Sequence, residues 1–580
     1  MQANLYPIDS LRQLLGSFPR NLCTGILPLL TCCLASCFIG WILPIPAAAQ
    51  DSETYSKHSQ IRQIDHLVEK VWNEFELKPS PAATDGEWCR RVHLDILGRI
   101  PTNEELDAFV KNKDNNKQLK LVETLLYDDQ YTEELARNWT TLWTNLLIGR
   151  TGGTERNSMI NRAGMQKFLR DSFARDKPYD KIATELITAT GTTTPGDEKF
   201  NGATNYLIDK VNDENGTLAT ASASRLFLGL QVQCTQCHNH PFNDWKQNSF
   251  WEMNAFFRQT RAFPGGRRRG DAGAATLADQ DFRGESNNID EADLFYELRN
   301  GIVKIAFPVF VDGTEIGKSG YVNVVNRRQE FSKLMIDSPF FSRAIVNRMW
   351  AHFLGYGFTT PVDDLGPHNI PTNPELLDYL ATEFKSNGYD LRQLIAWISL
   401  SKPYSLSSKR TSNNESDDPL LGNTPKFSHF YLRQMRAEEL YESLLAATQA
   451  GTEGNYERQE TMKNRWLQQF SQAFGTDEGD ETTTFNGTIP QVLMMFNGEL
   501  IRSTTGNKQG NLIDRLVNDA KLKDKDRIEY LFKAGLSRRP TRKELSLAND
   551  LLKARAGDKT AALQDVWWVI LNTNEFIFNH

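Results

Sequence analysis

From residue 64 onward, apolar and polar positions alternate with the period of a helix. Ile64, Leu67, Val68, Val71 and Trp72 recur at spacings of three and four, which puts one apolar stripe on one face. The pattern returns at 88–110, 119–126 and 132–148, the last of these carrying Trp139 and Trp143. At Pro101-Thr102 the spacing predicts a helix stop followed by a capped start, with Thr102 as the cap and Glu105 as its reciprocal partner. Residues 149–157 read as a Gly/Thr turn region, 165–173 and 179–188 as helices, and 191–202 as a loop. An Ala/Leu-rich helix is predicted over 219–233, leading straight into Cys234-Thr235-Gln236-Cys237-His238-Asn239-His240-Pro241.

The character changes at 262–293, where Gly, Arg, Asp and Ala dominate around Arg267-Arg268-Arg269. Val, Ile and Phe at 303–311 predict a short strand, with 321–325 as its partner. Helical periodicity then resumes. Ser338-Pro339 opens a helix through Trp350, and Pro374 opens another through Asn387, with Gly388 as its C-cap. Further helices are expected at 390–400, 437–447, 512–518, 527–534 and 562–571, with polar loops at 408–424 and 475–488. Arg538-Arg539-Pro540-Thr541 echoes Arg99-Ile100-Pro101-Thr102, each between two amphipathic helices, and capping chemistry alone accounts for that echo. The fold class is mainly α: two helical domains in tandem, with a few short strands near the linker.

The first fifty residues stand apart. Arg12 and Arg20 precede an uncharged stretch at 21–50 that ends in Ala47-Ala48-Ala49, the small-residue pattern of a signal peptidase site. The organisation read from these patterns is a signal peptide at 1–49, a polar tether at 50–63 and a helical domain at 64–262. A linker with short strands at 263–325 and a second helical domain at 326–580 complete it. Two rival readings of the leader stay open: an uncleaved N-terminal anchor, and a lipoprotein box at Leu34-Ala35-Ser36-Cys37. The expected location is the periplasm or cell envelope, with membrane contact only through such an anchor.

Composition narrows the picture. At 580 residues, 39% hydrophobic, 24% charged and a formal net charge of −7, the chain is not polytopic and not a general nucleic-acid binder. The tri-arginine has no interleaved aromatic residues and reads as a solvated loop. Four of the seven cysteines lie in the leader, leaving Cys89, Cys234 and Cys237, too few for a disulfide framework. HExxH, GxSxG and GxGxxG are absent, and 313–319 is one residue short of a phosphate loop. Asp363-Asp364 is a carboxylate pair that serves either acid–base work or loop capping.

In an exported protein, CxxCH is the attachment motif for haem c: Cys234 and Cys237 take the two vinyl groups and His238 lies under the iron. His352, or Met253, is the candidate for the opposite face. Two alternatives need no haem. One is a Cys234–Cys237 disulfide in an envelope scaffold or binding protein. The other is a metal site of Cys234, Cys237, His238 and His240, with His352.

These motifs also carry a resemblance. Arg90-Arg91-Val92-His93-Leu94-Asp95-Ile96-Leu97-Gly98-Arg99-Ile100-Pro101-Thr102 and the segment from Cys234 to Phe242 resemble the planctomycete cytochrome-like domain. Asn347-Arg348-Met349-Trp350, Pro361-Val362-Asp363-Asp364, Asn373-Pro374-Glu375-Leu376-Leu377 and Gly388-Tyr389-Asp390-Leu391 resemble the planctomycete-specific domain that usually follows it. The resemblance implies an exported protein of unknown molecular function whose redox or envelope partners are unknown. Relatives often carry an extra cytochrome c domain, and no second CxxCH occurs here. His93 and Ile100 depart from the expected aromatic and proline, which puts any role of His93 in doubt.

The leader generates a direct expectation: a mature N-terminus near Gln50 on a product outside the cytoplasm. N-terminal analysis of natively produced protein checks it, and an unprocessed chain in the cytoplasmic fraction would count against it.

Overall fold

The computed structural model describes residues 57–155, 158–212, 214–241, 245–265, 275–448, 456–474, 506 and 511–580. The leader, Arg267-Arg268-Arg269 and the polar insertion at 475–488 lie outside the described residues. Helices dominate and the strands are short, so the fold is mainly α. None of the described helices is long and apolar enough to cross a membrane.

Local chemistry sets several helix ends. Thr102 accepts from the Glu105 amide at 3.2 Å and Glu105 accepts from the Thr102 amide at 2.7 Å, starting the Asn103–Lys111 helix. Thr541 and Glu544 start the Arg542–Ala554 helix in the same way. The echo runs further than the caps. Arg99 grips Glu105 at 2.8 and 2.9 Å, and Arg538 grips Glu544 at 3.0 and 2.8 Å. Each corner is a capped start locked by the arginine three residues before the cap.

Two sequence expectations give way. The helix predicted over 219–233 is Thr217–Leu228, stopped by Gly229 in the left-handed region at φ 62. The strand Val303–Ala306 pairs with Leu294–Glu297 rather than with 321–325, because the chain turns back through Gly301 at φ 81 and closes a hairpin. The first helix among the described residues, Ser59–Glu74, begins inside the stretch whose composition reads as tether, with Ile61 fully buried.

The larger apolar core runs from Ile61 to Tyr431 and so draws on both sides of the Gly/Arg-rich segment. A smaller core gathers Met435 to Phe576, and Leu94 and Ile100 belong to it. The Asp85–Leu97 helix lies between them, giving Val92 and Ile96 to the larger core and Leu94 to the smaller.

That position buries Arg90, Arg91 and Asp95 completely. Arg90 donates to the carbonyls of Gly535 at 2.8 Å and Phe576 at 2.7 Å, and Arg91 donates to those of Tyr404 and Leu406. Asp95 accepts from the Tyr404 hydroxyl at 2.6 Å, from Asn579 at 3.0 Å and from Arg433. The short antiparallel pairing of Arg433–Gln434 with Phe578–Asn579 brings the last two of these donors together.

Removing one partner of a buried ion pair typically destabilises by about 3–5 kcal/mol. Arg433→Ala is therefore expected to lower the unfolding free energy on that scale, because Asp95 stays buried without its guanidinium. Lys70→Ala, which breaks the exposed pair with Glu375, serves as the control. Equal shifts of the two denaturant midpoints would count against the assignment.

Candidate functional site

The CxxCH segment is built from the end of the Thr217–Leu228 helix outward. Gly229 accepts from the Leu365 amide at 2.7 Å, and a β-carbon at Gly229 would come within 2.9 Å of the Leu365 side chain. Close approach and left-handed backbone both call for glycine there. Gln231 donates to Asp363 at 2.7 Å, and Arg225 stands 3.6 Å from the same carboxylate. Asp363 thus anchors a loop of the second half to the CxxCH segment, the role of a loop-holding carboxylate.

Cys234 lies on a short 3-10 turn, Gln233–Gln236, with Cys237 immediately after it. Thr235 is buried and bonds back to the Val232 carbonyl. The Gln236 carbonyl accepts from Trp251 and from Gln247, each at 3.1 Å, and the Gln247 amide donates to Asn239 at 3.0 Å. The turn is therefore pinned from beneath by the Gln247–Asn254 helix.

Both thiols of the turn are exposed and unbridged, whereas Cys89 is buried. Burial is the first cause that pushes the Cys234 thiol up, and the Asp364 carboxylate adds to it. His238 Nδ1 lies 2.7 Å from the Asn239 carbonyl. A carbonyl only accepts, so Nδ1 carries the proton and the lone pair sits on Nε2, the tautomer a metal-ligating histidine needs. Two accessible thiols at CxxC spacing and a histidine with Nε2 prepared fit the attachment side of a c-type haem.

The other predicted residues fall elsewhere. His352 Nε2 lies 3.1 Å from the Asp95 carbonyl, and its ring packs on Trp139 and Phe353. Met253 is buried on the Gln247–Asn254 helix. Among the described residues, no three histidine, cysteine or carboxylate side chains stand ready around one metal ion.

A residue the sequence reading passed over joins the site. His368 from the second half lies beside His240, ring centres 5.4 Å apart, and its Nε2 is 3.0 Å from Asp364. The Asp364-x-x-x-His368 spacing was visible in the sequence; its meeting with His240 was not.

Comparison with known families adds the following. Residues 63–262 match the family model PSCyt2, described as a protein of unknown function (DUF1549). Residues 327–552 match PSD1, also described as a protein of unknown function (DUF1553). No curated protein and no solved structure matches the chain.

Two histidines, His93 buried and His352 half-buried, make stability pH-dependent. Burial holds His93 down to about 4. His352 is held down to about 3 by burial, with Arg436 and Arg433 adding to it. In the unfolded chain a histidine titrates near 6.5. As pH falls below that value the unfolded state takes up protons first, so stability is lost progressively. The loss is complete for His93 below about pH 4 and for His352 below about pH 3. Thermal melts should show Tm falling from pH 6.5 to 4, and less steeply in His93→Gln. Identical slopes for the variant and the unaltered chain would count against this.

Proposed function

We propose, for a chain that carries the PSCyt2 and PSD1 domains of unknown function in tandem, that it works outside the cytoplasm as a monohaem redox or electron-transfer accessory protein. The observation that carries this reading is the pairing of two exposed thiols with a neighbouring histidine whose Nε2 lone pair is prepared by the Asn239 carbonyl. Cys234 and Cys237 would hold the haem through thioether bonds, each thiol adding its sulfur to one vinyl carbon and its hydrogen to the other. His238 would ligate the iron through Nε2. The haem, when bound, supplies a one-electron couple. The chain's own contribution is positional: Gln247 and Trp251 hold the Gln236 carbonyl and so keep the turn in place.

A second reading is supported by the same exposure. Two thiols three residues apart, open to an oxidising compartment, are also placed to close into a disulfide. The protein then acts as an envelope scaffold or binding protein with the pair as a staple. Its mildly acidic charge argues for protein partners rather than nucleic acid in either case.

Protein made with a c-type maturation system is expected to carry a haem-sized mass that survives denaturation and to show c-type bands on reduction. Cys234→Ser or Cys237→Ser should weaken or abolish attachment, and His238→Ala should leave the iron poorly ligated with a changed spectrum. Cys89→Ser should change neither. A colourless protein whose two thiols become alkylatable only after reduction would replace the haem reading with the disulfide one.

A further inference from the structure

The hairpin of Leu294–Glu297 with Val303–Ala306 has two outer edges, and they are treated differently. The Leu298 amide donates to the Ile302 carbonyl at 2.9 Å, and the same register pairs Tyr296 with Lys304 and Leu294 with Ala306. An antiparallel ladder alternates, so those pairs exchange the hydrogen bonds of the hairpin. The N–H and C=O groups of Phe295, Glu297, Val303 and Ile305 therefore point outward. On the first strand two of these groups are taken. The Phe295 amide donates to Glu285 at 2.9 Å, and the Glu297 carbonyl accepts from Gln247 at 2.9 Å. On the second strand no described residue bonds to the outward groups of Val303 and Ile305.

The side chains around that free edge are apolar and open. Ile302, Val303 and Ile305 keep 51, 58 and 54% of their exposure, and Phe295, across from Ile305, keeps 38%. An edge with unpaired backbone groups and open apolar side chains is a template for another strand. The charges say which strand. Lys304, between Val303 and Ile305, is exposed, as is Arg299 at the hairpin turn, and neither makes an ion pair among the described residues. Glu297 is exposed too, but it lies on the other strand, away from the free edge.

Two rival occupants fit less well. A lipid surface would take the apolar side chains but leave the edge N–H and C=O groups without partners, which hydrocarbon penalises. A second copy paired antiparallel through Val303 and Ile305 would set Lys304 directly opposite its own counterpart, and like charges there repel. A carboxylate in that place would attract.

We infer that the Val303–Ala306 edge accepts an extended segment of a partner protein by antiparallel strand addition, the segment carrying an acidic residue between two apolar ones. The N–H and C=O groups of Val303 and Ile305 bond to it, its apolar side chains pack beside theirs, and its carboxylate lies opposite Lys304. Gln247 ties this hairpin to the CxxCH turn, because its side chain donates to the Gln236 carbonyl as well as to that of Glu297. Trp251, which also holds Gln236, stacks on Tyr296 with ring centres 6.0 Å apart. The edge itself is formed whether the turn carries haem or a disulfide.

Fluorescence anisotropy with the full chain tests this, using the dye-labelled, end-capped peptide Ser-Thr-Val-Glu-Val-Thr-Ser. Sub-millimolar binding is expected. The same peptide N-methylated at both valines loses its edge donors, and a peptide with lysine in place of glutamate loses the charge match. Each should bind about tenfold more weakly, the scale of one lost hydrogen bond or more. Lys304→Glu should reverse the order of the glutamate and lysine peptides. Ile305→Pro removes an outward donor that the hairpin does not use, a change an edge strand tolerates, and should abolish binding at unchanged Tm. Where that variant melts early, the N-methylated peptide decides on the unaltered chain. Absent binding, or equal binding of all three peptides, would overturn the assignment. So would self-association of the chain that Ile305→Pro abolishes, or binding to phosphatidylglycerol vesicles that the same variant loses, since each puts a different occupant on the edge.

Discussion

Two guanidinium groups and a carboxylate buried on one helix constrain everything around them. Each ion removed from water costs several kcal/mol unless it is fully answered, and Arg90, Arg91 and Asp95 have no solvent to answer them. Their partners all come from the second half of the chain: the carbonyls of Tyr404, Leu406, Gly535 and Phe576, and the side chains of Arg433, Tyr404 and Asn579. The helix that carries the signature of the first domain is therefore completed by the second. The charges of Arg90, Arg91 and Asp95 are buried and bonded within the fold.

The same dependence shapes the surface where the chemistry lies. The CxxCH turn is supported from two directions. Gln247 and Trp251 hold it from within the first domain, and the loop carrying Asp363, Leu365 and His368 closes on it from the second. His352, on the Pro339–Leu354 helix, is drawn instead toward Asp95 and Trp139, where its imidazole stays neutral. Histidines of one domain thus serve two purposes: one helps seal the buried charge network, and the other reaches the exposed turn.

Much of the fold was legible along the chain wherever the deciding interaction is short. Thr102 with Glu105 and Thr541 with Glu544 set helix starts through bonds spanning three residues, and Pro339 and Pro374 stand at first helical positions. The two domains of unknown function were recognisable from the same motifs. Errors arose where a strong local pattern met a distant partner. The Ala/Leu-rich pattern up to Leu228 extended the expected helix to Gln233, but Gly229 stops it and lets Leu365 approach. Val303–Ala306 looked for a strand after it and found one before it, across a tight turn.

By itself, then, the sequence determined the helical class, the capped corners and the presence of two thiols and a histidine at haem-attachment spacing. The contact between His238 Nδ1 and the Asn239 carbonyl came from the structure. Only the tertiary structure decided which groups answer Arg90, Arg91 and Asp95, that both thiols stand exposed on a short turn rather than on a helix, and that His240 meets His368. The physical reason is range. Hydrogen bonds within four residues are dictated by backbone geometry, whereas contacts across hundreds of residues follow from how apolar faces pack, and periodicity reveals those faces without saying which of them meet.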